Sequence, residues 1–208
     1  MSRAGSTPLR ELLGDIDIYF FDQINRGRVT PEMRVLDAGC GAGRNLHYLM
    51  GAGTDIVAAD ESEAAIAATR SLALRLAPHL SADAFRVEAV DAMSFETESV
   101  DVVISSAVLH FARDTAHFRA MLNGMWRVLR RHGLLFVRLA STIGMPVERF
   151  RPIGERRFQL PDGSDRFLVD EEILMSETRR LGAHLVDPIK TTVVQNARCM
   201  TTWVLRKT

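Results

Sequence analysis

The sequence predicts an α/β protein: a seven-stranded sheet, parallel except for its last strand, with helices on both faces. Three observations predict it. A short apolar run from Val35 to Ala38 breaks into three alternating glycines, Gly39, Gly41 and Gly43, and leads into an apolar-periodic segment from Leu46 to Met50. That order reads strand, tight turn, helix. Strand-like and helix-like runs then alternate as far as Leu139, and two more strand-like runs close the chain, as in sheets built from crossover units. Finally, Val100-Asp101-Val102-Val103-Ile104-Ser105 is apolar almost without alternation, which suits a parallel strand covered on both faces.

Each element has its own signal. Residues 1–8 are small and polar, an expected frayed end. Leu9, Leu12, Leu13, Ile16, Phe20 and Ile24 recur at helical spacing, predicting one helix over residues 9–24. Gly27 and Pro31 punctuate a turn before the first strand. Asp55 to Asp60 reads as the second strand, and Ser62 as the N-cap of an alanine-rich helix over residues 63–76 that stops before Pro78. Phe85 to Val90 is the third strand and Val100 to Ser105 the fourth. Asp114 caps a helix over residues 115–130, with Phe118, Met121, Leu122, Met125, Trp126 and Leu129 on one face and Gly133 at its end. Leu134 to Leu139 is the fifth strand.

Residues 141–168 interrupt the alternation. They hold Pro146, Pro152 and Pro161, and Pro161-Asp162-Gly163-Ser164 predicts a turn between Arg157–Leu160 and Asp165–Leu168, a hairpin or ordered loop. Asp170 caps a last helix over residues 171–181, closed by Gly182. The segments 185–194 and 199–205 form the final antiparallel pair. The domain division is therefore a single domain over 1–208, with a helical cap over 1–30 and an insertion over 141–168.

Composition narrows the function. The 26 basic residues balance the 26 acidic ones, whereas nucleic-acid binders carry a basic excess, so no nucleic-acid partner is expected. No apolar run is long enough to span a bilayer and the polar N-terminus lacks a signal-peptide pattern, so no membrane partner and a cytoplasmic location are expected. Two cysteines, Cys40 and Cys199, make neither a disulfide framework nor a zinc site, and no metal is expected.

The glycine turn carries the chemistry. Glycine reaches backbone angles closed to other residues and has no Cβ, so a ligand can lie directly on the backbone. Free amides at the start of the following helix add to the attraction for electron-rich groups, which makes the turn a seat for a nucleotide-like ligand; the alternative is a glycine-rich turn with no ligand. Arg44 stands where the dinucleotide pattern needs its third glycine, and the Gly-Lys-Ser/Thr ending of the phosphate loop is absent. Asp60 ends the second strand, 17 positions after Gly43. A carboxylate there can accept both hydroxyls of a ribose seated on the turn; capping the next helix is its other reading.

What remains is Asp37-x-Gly39-x-Gly41-x-Gly43 at the end of the first strand. It resembles motif I of the class I S-adenosylmethionine-dependent methyltransferases, in motif detail over residues 30–140 and in topology beyond. The resemblance implies a Rossmann-like sheet, S-adenosyl-L-methionine as cofactor, S-adenosyl-L-homocysteine as product and a small-molecule acceptor. It further implies cofactor contacts from Asp37, Gly39, Cys40, Gly41, Arg44 and Asn45 in the turn and from Asp60 and Glu61 after the second strand. Ser105 and Ser106 after the fourth strand are implied too, and Tyr19 over the methionine end. Many family members hold the adenine amino group with an acid after the third strand. Gapless anchoring puts Ala89 there and a two-residue shift puts Asp91, which is preferred, with backbone contacts from Val90 or Ala92; an exposed loop acid is the alternative. His110, in Leu109-His110-Phe111, matches a leucine–histidine pair near the substrate cleft, as a candidate for a chemical role or as a structural histidine.

No catalytic constellation is obligatory for methyl transfer, and none is evident. The Asn/Asp-Pro-Pro-Tyr and Pro-Cys signatures of nucleic-acid methylators are missing. The insertion after the fifth strand is placed to form a substrate wall. Its Arg149, Arg151, Arg156, Arg157 and Arg166 read either as a solvated charged loop or as a grip for an anionic acceptor, with Phe150, Phe158 and Phe167 covering an apolar body. A monomer or homodimer is expected. The rivals are a non-catalytic cofactor-binding or regulatory protein on the same fold, and a nicotinamide-dependent oxidoreductase, against which Arg44 weighs.

Overall fold

The structure, a computed structural model, describes residues 8–208; of the frayed end expected over residues 1–8 and of the 1–30 cap, residues 1–7 lie outside the described residues. In chain order the elements are α1 (Leu9–Leu13), α2 (Ile18–Asn25), β1 (Arg34–Ala38), α3 (His47–Gly51), β2 (Asp55–Asp60), α4 (Glu63–Leu76), β3 (Phe85–Val87), β4 (Val100–Ser106) and α5 (Thr115–Val128). Then come β5 (Leu129–Ser141), β6 (Arg151–Gly154), β7 (Arg157–Gln159), β8 (Asp165–Phe167), α6 (Glu171–Arg180), β9 (Ala183–Leu185), β10 (Lys190–Val194) and β11 (Arg198–Lys207).

The main sheet runs β10-β11-β5-β4-β1-β2-β3. β1 pairs in parallel with β2 and β4, β2 with β3, and β4 with β5. β11 is antiparallel both to β5 and to β10, so β10 runs with the parallel set and the last strand alone is reversed. β9 pairs with the far end of β11. Side chains alternate across the sheet. Leu36, Val57, Val103 and Leu135 meet Phe118, Leu122 and Met125 of α5 and Leu174 of α6. Val35, Ile56, Ile104 and Phe136 meet Phe20 of α2, Leu49 and Met50 of α3 and Ile66 of α4 on the other face. Helices thus cover both faces, as the sequence predicts.

Four boundaries differ from the sequence reading, each for a local reason. The helix expected over residues 9–24 is two helices: Gly14 takes φ +62°, and Asp17 starts α2 by accepting the Tyr19 amide. Leu9 and Leu12 therefore sit in water, 67% and 48% exposed, while Phe20 is fully buried against Phe136. β3 stops at Val87, and the chain turns through a short 3-10 segment at Val90–Ala92. α5 passes into β5 without a glycine stop; the left-handed residue is His132, φ +62°, rather than Gly133. The strand expected over residues 185–194 splits into β9 and β10, and proline, with no N–H to donate, stands between them at Pro188.

The insertion folds as expected and more. β7 and β8 form the hairpin around Gly163, φ +82°, and β6 adds a third antiparallel strand. Phe150, Leu160 and Leu168 bury with Ala140 and Cys199 in a small core of their own, and Phe158 packs on it. Phe167 instead stacks on Phe118 of the main core, ring centroids 5.2 Å apart. Phe150 and Phe167 are thus spent on packing, which corrects the expectation that these phenylalanines line a substrate wall.

Candidate functional site

The glycine turn leaves the end of β1 and is tied to β2: the Gly39 and Cys40 amides donate to the Ala59 carbonyl at 2.8 and 3.1 Å. Gly39 has φ +83°, and a Cβ there would stand 2.5 Å from Val108 Cγ2, so this position admits no side chain. Gly41, φ +54°, is different. A Cβ there would meet nothing within 4 Å, because Gly41 faces an open cavity of about 690 Å³. Its carbonyl accepts from Thr69 Oγ1 at 2.9 Å and its amide donates to Asp60 Oδ2 at 2.9 Å. The amides between the turn and the next helix are divided: those of Ala42, Arg44 and Asn45 have no hydrogen-bond partner among the described residues. α3 begins only at His47, and within the turn the Gly39 and Cys40 amides are held by Ala59, that of Gly41 by Asp60 and that of Gly43 by the Cys40 carbonyl.

Asp60 braces two segments at once. Oδ1 accepts the Ser62 amide at 3.0 Å beside the α4 cap, and Oδ2 accepts Gly41. A carboxylate oxygen has two acceptor positions, and Asp60 lines the cavity with Glu61, Gly39, Cys40, Arg44 and Asn45. Across from it lie Ala89, Val90 and Asp91. Ala92 does not line the cavity, and its amide is taken by the Ala89 carbonyl at 3.0 Å, so of the two expected backbone contacts only Val90 is available. Asp91 Oδ2 lies 3.5 Å from His117 Nε2.

Arg113, His117 and Met121, spaced by four on and just before α5, line the same wall, with Phe111 beside them. The sequence reading missed Phe111, Arg113 and His117 and treated Met121 as core. The i, i+4 spacing was legible, but nothing in the sequence tells a cavity-facing stripe from a core-facing one. Gly124 brings this helix onto the 90–92 segment: a Cβ there would lie 2.5 Å from the Val90 carbonyl oxygen.

At the other end of the cavity Arg44 Nη2 donates to Ser106 Oγ at 2.9 Å, and Ser106 Oγ donates to Asp17 Oδ2 at 3.2 Å. Asp17, whose side chain is wholly buried, also accepts from Arg138 Nη1 at 2.8 Å, and its amide donates to Asn45 Oδ1 at 3.0 Å. This buried cluster, unforeseen in the sequence, pins α2 to the roof of the cavity. Two residues expected to contact the cofactor do not line the cavity. Tyr19 does not line the cavity; its hydroxyl hydrogen-bonds Thr192 Oγ1 at 2.6 Å and its ring lies against the Arg138 guanidinium. Ser105 is buried away from the cavity, its hydroxyl without a partner among the described residues.

Burial sets the electrostatics. Asp37 lies under the turn, 1% exposed, with neither oxygen hydrogen-bonded among the described residues. Desolvation raises its pKa to about 7, with Arg44 opposing and Asp60 adding to the rise. Desolvation likewise pushes the Cys40 thiol up to about 12, which leaves it inert. His110 is 5% exposed, outside the cavity, and Nδ1 accepts the Ala140 amide at 3.2 Å. Burial, then Arg166 and Arg198, hold its pKa down to about 3. It is a neutral structural histidine, which corrects its candidacy for a chemical role.

Comparison with known proteins agrees with this geometry. A methyltransferase-domain family matches residues 36–137. A curated relative, a probable S-adenosylmethionine-dependent methyltransferase of Mycobacterium tuberculosis, is 32% identical over 144 residues, 67% of this chain and 49% of its own length; the chain thus spans about half the length of that relative. Among solved structures, an S-adenosylmethionine-dependent methyltransferase of Methanosarcina mazei is 19% identical with a TM-score of 0.73, covering 88% of this chain and 96% of its own. The 1,6-didemethyltoxoflavin-N1-methyltransferase of Burkholderia thailandensis, solved with 1,6-didemethyltoxoflavin and S-adenosylhomocysteine, is 19% identical with a TM-score of 0.71, covering 94% and 79%. With the glycine turn, the acid that ends β2 and the sheet that carries both, these matches place the chain in the class I S-adenosylmethionine-dependent methyltransferase family.

Proposed function

We propose that this chain transfers the methyl group of S-adenosyl-L-methionine to a small-molecule acceptor and releases S-adenosyl-L-homocysteine. The observation that carries the reading is the open floor at Gly41 next to the Asp60 carboxylate, in a cavity sized for one such ligand. The donor set fits the cofactor. Asp60 and Glu61 meet the ribose hydroxyls, and Asp91 meets the adenine amino group beside the Val90 backbone. Arg44, Asn45 and Ser106 hold the amino-acid end. Asp37 lies beneath the turn with neither carboxyl oxygen hydrogen-bonded among the described residues, open to a donor on the ligand.

The bound cofactor supplies a methyl group on a sulfonium, with a neutral thioether as leaving group. The protein's task is alignment of a nucleophile with that methyl group. Phe111 and Val108 shape the opening above the turn. The Asp17–Arg138–Ser106 cluster keeps the N-terminal cap closed over the amino-acid end. An acceptor that arrives as an anion needs no base.

On the acceptor side, the insertion over 141–168 packs against the loop after β4: Thr115 donates to Glu155 Oε1 at 2.5 Å and Arg166 lies over Phe111. This supports the insertion as the wall that selects an acceptor with an anionic group. The balanced charge favours a small molecule over nucleic acid, and no described helix is long and apolar enough to cross a membrane; the proposal sets the reaction in the cytoplasm. The test is calorimetry with S-adenosyl-L-homocysteine on wild type and Asp60→Ala, with methyl transfer from labelled cofactor to a small-molecule pool. Asp60→Ala should weaken binding by about 1.5–3 kcal/mol, the range for a hydrogen bond to a charged group. Equal affinity in both proteins removes Asp60 from the site, and absence of transfer to any member of the pool supports the non-catalytic rival.

A further inference from the structure

We infer that the mouth of the cavity between Phe111 and Arg166 seats an aromatic acceptor bearing a negative charge. The inference rests on the methyl-transfer reading and narrows it to a substrate class.

Phe111 is the starting point. It ends the short 3-10 turn Leu109–Phe111, whose other two residues are buried, yet it is itself 58% exposed and lines the cavity. An exposed phenylalanine is ordinary on a surface. At the rim of a ligand cavity, with the backbone on either side fixed by Leu109 and His110, it is a flat apolar face held in place for something to lie on. The Arg166 guanidinium stands 4.8 Å from its ring centroid. That arginine donates to the Asp165 carbonyl at 2.7 Å and makes no ion pair among the described residues. Arg113, which also lines the cavity, makes none either. The neighbouring carboxylates are engaged elsewhere: Asp114 holds the His117 amide at 2.7 Å, Glu155 the Thr115 hydroxyl and Asp162 the Arg198 guanidinium at 3.2 Å. Arg166 over the Phe111 ring and Arg113 in the cavity wall are thus two guanidinium groups without an ion pair among the described residues.

Such a ledge has a definite complement. A second ring stacks or packs edge-on against phenylalanine, and a carboxylate or phenolate fits the planar guanidinium fork. The ledge follows β4 and the arginine belongs to β8 in the insertion, whereas the glycine turn, Asp60 and Asp91 follow β1, β2 and β3. The seat is therefore on the acceptor side. A phenolate there reacts in balance: its oxygen forms the bond to the methyl carbon, the carbon–sulfur bond breaks, and the electron pair stays on the sulfur.

The test uses three probes titrated calorimetrically into the full chain saturated with S-adenosyl-L-homocysteine. 4-Hydroxybenzoate has ring and charge, 4-hydroxybenzylamine has the ring with the opposite charge, and cyclohexanecarboxylate has the charge without the aromatic face. The expected result is that 4-hydroxybenzoate binds about tenfold or more tightly than either of the others. Arg166→Gln should remove most of that advantage over the amine, and Phe111→Leu most of that over the cyclohexane acid. Both variants should bind S-adenosyl-L-homocysteine within about twofold of wild type. Equal binding of the three probes, no binding of 4-hydroxybenzoate, or variants that leave its affinity unchanged overturns the inference and leaves the cofactor reading intact. Failure of S-adenosyl-L-homocysteine itself to bind the wild-type chain overturns the cofactor reading, and the inference with it.

Discussion

The floor of the cavity and its rim are built in opposite ways. The floor is backbone: three glycines with positive φ, two amides held by one carbonyl of β2, and one carboxylate that braces the turn from the side. The rim is side chain: Phe111 and Arg113 in the cavity wall and Arg166 over the Phe111 ring, long groups that reach outward from a turn, a loop and an edge hairpin. A surface of backbone tolerates almost no change, because every atom of it is shared with the fold. A surface of long side chains can be rewritten one residue at a time without touching the sheet. The floor suits an invariant ligand and the rim a variable one, and that division can be attacked from either side.

The largest effect is expected at Gly41. A side chain there enters the cavity itself, so Gly41→Val should cost about 100-fold or more in S-adenosyl-L-homocysteine affinity; valine at φ +54° is strained, so the melting temperature should also fall, and affinity is read on protein whose circular dichroism spectrum shows it folded. Unchanged affinity by calorimetry would falsify the idea that ligand lies on this backbone. Next is the rim. Replacing residues 152–165 with a short glycine–serine linker removes Leu160 from its small core and should lower the melting temperature. Cofactor affinity should stay within about threefold while transfer to the native acceptor disappears. A tenfold fall in cofactor binding with acceptor preference kept would merge the two regions into one.

Gly124 tests the floor from behind. A Cβ 2.5 Å from the Val90 carbonyl must push the 90–92 segment or α5 aside. Overpacking of this kind costs about 1–3 kcal/mol of stability. Cofactor affinity in Gly124→Ala should drop about tenfold, and a variant destabilised but with wild-type affinity would show that this wall does not touch the adenine. The smallest effect separates two buried groups by pH. The folded-state pKa of Asp37 is raised to about 7, so its contribution to stability is full below about pH 4 and lost as pH rises through 7. His110, lowered to about 3, works the other way: its contribution is present above about pH 6.5 and lost as pH falls through 3. The melting temperature of Asp37→Asn relative to wild type should therefore climb between pH 4 and 7 and level off above. A flat difference across that range would mean that Asp37 has a partner in solution.

Local grammar was legible and distant contact was not. β2 and α4 match their expected spans because Ser62 signals the cap by its own hydroxyl and Pro78 forbids continuation. The insertion hairpin was readable from Pro161-Asp162-Gly163, since the turn needs a residue at positive φ. By contrast, α5 runs straight into β5, so its end carries no punctuation. Within the site, Asp60 and the glycines follow from spacing. Asp17 does not: as a residue it announces only a helix cap, and its partners Ser106 and Arg138 lie 89 and 121 positions away. The same holds for Asp91, whose neighbour His117 is fixed by the packing of α5 rather than by any motif.

That reach along the chain has a consequence in time. Asp17 leaves the ribosome early, but Arg138 follows it by roughly 6–24 s at ordinary synthesis rates of about 5–20 residues per second. Thr192, which holds the Tyr19 hydroxyl, comes later still. The strands and turns that make the floor are all present by then. A growing chain therefore holds every residue of the floor before the partners of its roof exist, and Phe20 of α2 waits for Phe136 on a strand that has not yet been made.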